Sequence, residues 1–126
     1  MTYCCGILVR EGLVMIADTR TNAGLDNVST FRKLHIFSKP GERIMAIASA
    51  GNLAISQAVL NLLAEKLAAQ DSQTVSLHNC PNMFEAARCV GAALREMHVR
   101  DGEALKAQGV EFNATFIVGG QIQGEP

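Results

Sequence analysis

Several signals that would assign a chain to a broad class are missing from this one. The amino terminus, Met-Thr-Tyr-Cys-Cys-Gly, lacks the basic flank, apolar stretch and small-residue cleavage site of a secretory leader, and no apolar run reaches membrane-spanning length. A cytoplasmic location is therefore expected. Lys and Arg together number 11 against 12 Asp and Glu, giving a net charge of −1, with no clustered basic stripe. Nucleic acid and anionic membranes lose the electrostatic footprint by which a protein would bind them. The four cysteines, Cys4, Cys5, Cys80 and Cys89, form no C-x-x-C pair, and His35, His78 and His98 are too scattered to share a metal. Reduced thiols are expected, with no metal site and no cofactor. Asn27-Val28-Ser29 and Asn113-Ala114-Thr115 match glycosylation acceptors, which carry little weight without secretion.

What is present is a folded composition: 126 residues, 48 % hydrophobic and 18 % charged, with no low-complexity tract. That length fits one domain over 1–126. Tyr3–Val9 and Leu13–Ala17 are almost unbroken apolar runs around the turn Arg10-Glu11-Gly12, a hairpin whose strands should be covered on both faces. Lys33–Phe37 and Arg43–Ser49 flank a Pro-Gly turn and read as a second hairpin. Gly51 then separates strand from helix. Asn52 is a fitting cap for a helix running to about Gln70, with Leu53, Leu60, Leu63 and Leu67 on its buried face. A polar stretch from Asp71 to Asn79 leads to a second helix opened by Pro81, striped by Met83, Ala87, Val90, Leu94 and Met97. Gly102 is expected to break or kink that helix and Gly109 to stop it. Phe112–Val118 returns to strand, and the Gly-Glu-Pro ending leaves this strand without an obvious partner, as in the front part of a larger fold. Alone, such a piece should associate to cover its exposed apolar faces.

The chemistry gathers at Thr2, Asp18 and Lys33. A threonine hydroxyl is a poor nucleophile unless a base lies beside it, and a threonine made amino-terminal carries its own base, the α-amino group. Only Met1 intervenes, and its removal is expected before a side chain as small as threonine. The freed amine would titrate at about 7.7 to 8.0 and exchange protons near neutral pH. Taken singly, Asp18 reads as a strand-end turn residue and Lys33 as a solvated strand end, so their roles depend on closeness to Thr2. Gly51 could donate its backbone N–H to an oxyanion at the positive end of the first helix, or could simply permit a tight turn.

Thr2, "IADTRTNAG" from Ile16, "FRKLHIF" from Phe31, "SAGNLA" from Ser49 and "NATFIVGGQ" from Asn113 together resemble the amino-terminal half of proteasome-type β subunits, most closely the bacterial ancestral β-subunit (Anbu) family. The resemblance implies an α+β fold, the four-layer αββα sandwich of N-terminal-nucleophile hydrolases, here its N-terminal portion. It implies a threonine peptidase in which Thr2 attacks a peptide carbonyl, Lys33 lowers the pKa values of amine and hydroxyl, Asp18 holds that lysine charged, and Gly51 serves the oxyanion. Thr21 and Asn22 would line the cleft and pair with substrate backbone. The expected partners are a peptide or unfolded protein and further copies of the chain in a ring or spiral. The family's second half supplies a serine and an aspartate that hold the threonine amine, and these 126 residues do not include them. An inactive structural or assembly subunit that retains Met1 is the alternative, and an amidohydrolase acting on small amides a third reading.

Overall fold

The computed structural model of the chain describes residues 2–22, 28–69, 73–109 and 111–124, with backbone alone at 21, 22, 28 and 29. Three layers stack on one another. The middle one is an antiparallel sheet of β5 (Leu34–Lys39), β6 (Arg43–Gly51) and β7 (Ala114–Ile122) in that spatial order. Helices α1 (Leu53–Ala68) and α2 (Met83–Ala107) cover one face, and the hairpin β1 (Cys4–Val9) with β2 (Gly12–Ala17) lies over the other. A short pair, β3 (Arg20–Asn22) with β4 (Val28–Thr30), extends from the end of β2. Neither three-residue strand has enough alternation to show in the sequence. The architecture is the α+β one expected.

The sheet separates its two faces by the period-2 alternation of strands. On β6, Met45 and Ile47 are fully buried toward the helices, where they meet Val59, Leu60, Leu63, Val90 and Met97. The opposite face of the same sheet carries Ala46, Ala48 and Gly119, residues small enough for the hairpin to approach closely. A Cβ on Gly119 would stand 2.6 Å from Cδ2 of Leu13 and 2.8 Å from the Met15 sulfur, so the hairpin's inner side chains occupy the space that the glycine leaves. The outer face of the hairpin stays open, contrary to the two-sided cover its apolar runs suggest: Val14 is 49 % exposed and Ile16 54 %.

Local signals set the helix ends. The Asn52 side chain accepts from the Ile55 N–H at 3.2 Å and the Asn82 side chain from the Glu85 N–H at 2.9 Å, each capping a first turn. Pro81 thus precedes the cap of α2. Gly102 does not interrupt this helix, which runs unbroken for 25 residues. It is buried, and a Cβ there would lie 3.4 Å from the His98 ring, which itself packs edge-on against Phe112. The missing side chain permits that packing. The stripe of α2 fails at one position: Val90 and Met97 are buried and Met83 and Leu94 pack against the core, but Ala86 takes the buried place expected of Ala87, which is exposed.

One connecting segment and the last strand are held more firmly than the sequence suggests. The polar link before α2 buries Leu77 and Cys80, because the Arg43 guanidinium donates to the Leu77 carbonyl at 3.3 Å and to the Cys80 carbonyl at 2.6 Å. The final strand has a full partner, since β7 pairs with β6 at nine positions from Gly51↔Ala114 to Arg43↔Ile122. The sequence lost sight of it because β6 and β7 are separated by both helices.

Candidate active site

The sheets meet at one end of the stack, and there the chain collects residues far apart in sequence. Antiparallel pairing of Cys4 with Ala17 brings the start of β1 beside the end of β2. One step further out, the Tyr3 N–H donates to Asp18 Oδ2 at 2.8 Å and the Asp18 N–H donates to the Tyr3 carbonyl at 3.0 Å. Thr2 is thereby fixed next to Asp18. Lys33, immediately before β5, reaches into this junction with only 6 % of its side chain exposed.

The ammonium of Lys33 has three donors, and the structure supplies three acceptors. Nζ donates to Asp18 Oδ1 at 2.5 Å, to the Arg20 carbonyl at 2.6 Å and to Thr2 Oγ1 at 3.2 Å. With every N–H committed, the lysine in this arrangement is a fixed positive charge and hydrogen-bond donor beside the hydroxyl, not a proton acceptor. Its main chain is held as well, because the carbonyl of Lys33 accepts from the Ser49 N–H at 2.9 Å and, more weakly, from Ser49 Oγ at 3.4 Å. The Ser49 carbonyl in turn accepts from the Cys4 thiol at 3.5 Å, which links β6 back to the strand that bears Thr2.

Electrostatics follow from these contacts. The hydrogen bond from Lys33, reinforced by the Tyr3 N–H, holds the Asp18 carboxyl below the usual carboxylate range even though burial opposes it. Burial pushes the Cys4 thiol up, with the Asp18 carboxylate adding to that effect and Lys33 opposing it. Cys4 is therefore a packed thiol and not an activated one.

Gly51 closes β6 two residues beyond Ser49. Its φ of +101° belongs to the region glycine favours, and a Cβ would stand 2.6 Å from the Asn113 carbonyl oxygen. That same carbonyl accepts from the Asn52 N–H at 2.8 Å. The turn requirement that offers a plain explanation for this glycine is thus real, and it leaves the residue at the mouth of α1, separated from it by Asn52 alone. Thr21 and Asn22 sit in β3 opposite Ser29 and Val28; their side chains lie outside the described residues. Met1 lies outside them too.

Sequence reasoning brought out Thr2, Asp18 and Lys33, and the structure places all three in contact. It missed the supports: the Arg20 carbonyl, the Tyr3 main chain, Ser49 and Cys4. Main-chain groups leave no trace in residue identity. Ser49 offered one weak signal, a hydroxyl among the small residues of a buried strand. Among the described residues no group of three or more His, Cys, Asp or Glu side chains could hold a metal, and no helix is long and apolar enough to cross a membrane.

Relatives of the chain are found among solved structures. No protein-family model matches the chain, and a search of curated proteins gives no match. Solved structures do match. The Anbu complex from Pseudomonas aeruginosa, described as a helical assembly, is 41 % identical over 100 % of this chain and 50 % of its own, with a TM-score of 0.89. Anbu (ancestral β-subunit) from Yersinia bercovieri is 41 % identical over 99 % of this chain and 49 % of its own, with a TM-score of 0.84. Anbu from Hyphomicrobium sp. strain MC1 is 43 % identical over the same shares, with a TM-score of 0.81. The chain thus spans about half the length of the solved structures it matches.

Proposed function

The chain belongs to the Anbu (ancestral β-subunit) family of proteasome-like subunits, and from that premise we propose that it provides the nucleophile-bearing part of a threonine peptidase. The observation that carries this reading is the Lys33 ammonium 3.2 Å from Thr2 Oγ1 and 2.5 Å from Asp18 Oδ1. A buried cation beside a hydroxyl favours the alkoxide that attacks, and a carboxylate beside the cation keeps it charged and aimed.

Once Met1 is removed, the Thr2 amine accepts the hydroxyl proton as Oγ1 bonds to the peptide carbonyl carbon. The proton passes to the departing amine when the C–N bond breaks. Water then hydrolyses the resulting ester and restores the hydroxyl. The Gly51 N–H, at the positive end of α1, is our candidate donor to the oxyanion. Thr21 and Asn22 would pair with the substrate main chain. The open outer face of the hairpin is the surface on which the second helical layer of the four-layer fold would pack, and the helical assembly of the Pseudomonas aeruginosa relative suggests that this subunit also works as a homo-oligomer.

The test uses the chain joined to the half that its relatives possess. Intact mass and peptide mapping after treatment with a threonine-directed covalent inhibitor should show Met1 absent and an adduct on Thr2, lost in Thr2→Ala. Retention of Met1 with no adduct would overturn the peptidase reading in favour of a structural subunit.

A further inference from the structure

The hairpin of β1 and β2 rests on the central sheet through apolar side chains, with Leu13 and Met15 over Gly119. Such packing fixes the separation of the layers but only weakly their slide, because apolar burial is non-directional. Among the described residues a single hydrogen bond joins this hairpin to β5, β6 or β7, and it runs from the Cys4 thiol to the Ser49 carbonyl at 3.5 Å. The acceptor is available because the sheet ends there. β5 and β6 pair from Lys39↔Arg43 to Leu34↔Ala48, and one step further the Ser49 N–H still donates to the Lys33 carbonyl at 2.9 Å. A regular antiparallel ladder would return a bond from the Lys33 N–H to the Ser49 carbonyl. That return bond is absent among the described residues, and the thiol is the donor that takes over. Ser49 therefore holds both sides of the site: its N–H grips the main chain of Lys33, and its carbonyl grips β1 two residues from Thr2. Burial keeps the Cys4 thiol protonated, and so a donor, near neutral pH, with the Asp18 carboxylate adding to that effect and Lys33 opposing it.

Resting on the peptidase reading above, we propose that Cys4 is a positioning residue for the acylation step: its thiol locks β1 onto β6 and so sets the distance between Thr2 Oγ1 and the Lys33 ammonium, 3.2 Å in this structure. The bond itself is weak, as thiol donors are. Its effect comes from where it acts. A slide of β1 would carry Thr2 with it and, through the paired main chains of Tyr3 and Asp18, the Asp18 carboxylate as well. Lys33, held to the other sheet by Ser49, would not follow. A displacement of about 1 Å between groups that must meet can cost about a hundredfold in rate, so a lock two residues from the nucleophile controls more than its own bond energy suggests.

The test uses the chain joined to the half that its relatives possess and compares Cys4→Ala, which deletes the donor, with Cys4→Ser, which keeps one, both well below their unfolding midpoints. With the threonine-directed inhibitor at saturation, Cys4→Ala should acylate about tenfold more slowly while its half-saturating concentration stays within about twofold, and Cys4→Ser should recover to within about threefold of the unaltered chain. A second measurement does not depend on catalysis. Carboxyl NMR titration should find the Asp18 midpoint raised toward the ordinary carboxylate value in Cys4→Ala, because its bond from Lys33 loosens, and still low in Cys4→Ser. A loss of stability alone would move neither reading in the folded protein. An unchanged rate and midpoint in Cys4→Ala, or equal losses in Cys4→Ala and Cys4→Ser, would overturn the role of the thiol. An unaltered chain that forms no adduct, but whose Asp18 midpoint still follows the donor at position 4, would instead overturn the peptidase reading and leave the lock standing.

Discussion

The two faces of the central sheet are built on opposite plans. Toward the helices, β6 presents Met45 and Ile47, both fully buried and interlocked with Val59, Leu63 and Val90. Toward the hairpin it presents Ala46 and Ala48, and the hairpin's own outer surface leaves Val14 and Ile16 in the open. Large side chains on one face make a dense platform whose shape is costly to change. Small ones on the other let a second sheet come close enough for Cys4 to reach the Ser49 carbonyl and Lys33 to reach Thr2. The difference teaches why the site lies where it does: one side of the sheet holds the structure rigid, and the other brings two strand ends together.

The comparison is most severely tested at the lysine that spans the junction. Lys33→Met keeps most of the volume but removes the cation from Thr2 and leaves Asp18 without its partner. The rate of Thr2 acylation should fall a hundredfold or more, by the usual size of a lost acid, base or charge-stabilising group. An unchanged rate with the same inhibitor would show that the hydroxyl needs no neighbouring charge.

Stability should separate the two faces next. Ile47→Ala opens a cavity under the helices and should cost about 2–5 kcal/mol, whereas Ile16→Ala on the open hairpin face should stay within about 0.5 kcal/mol. Urea titration of both variants gives the contrast directly, and equal costs would mean that the outer hairpin face is covered in solution. A smaller effect is expected at the helix that follows Gly51. Asn52→Ala removes the α1 cap and should cost about 1 kcal/mol in the same titration.

The mildest perturbation is acid. Asp18 has a folded pKa below its unfolded value, because Lys33 and the Tyr3 N–H bond to its ionised form. Its contribution to stability is therefore fully present above the ordinary carboxylate pKa and is lost as pH falls through the lowered folded value. Carboxyl NMR titration should find Asp18 ionised below the pH at which exposed carboxylates protonate, and Lys33→Met should move it back up. A midpoint at the ordinary value in the unaltered chain would mean that the ion pair does not persist in solution.

Much of this architecture was readable in the residues. Arg10-Glu11-Gly12 between apolar runs gave the first hairpin, Pro40-Gly41 the second, and Asn52 the start of α1. The alternatives that stayed open concerned contacts over distance. Gly102 looks like a helix breaker until the His98 ring is found in the space a side chain would fill. The 73–80 link looks like a solvated loop until Arg43, over 30 residues earlier, is seen to bind its carbonyls. Thr2, Asp18 and Lys33 stood out through a family resemblance and the chemistry of an amino-terminal threonine, whereas Ser49 and the Arg20 carbonyl had no signature that a linear reading could weigh.

Local order, in this chain, follows from neighbours in sequence: caps, turns and alternation are satisfied within a few residues, so the strands and helices are legible one by one. The site is not of that kind. Thr2 and Lys33 are 31 positions apart and belong to different layers, and their contact exists only because Gly119 and the alanines of β6 allow the hairpin to settle onto the sheet. Side-chain identity determined which groups could react, and the packing of one sheet against another decided which of them meet.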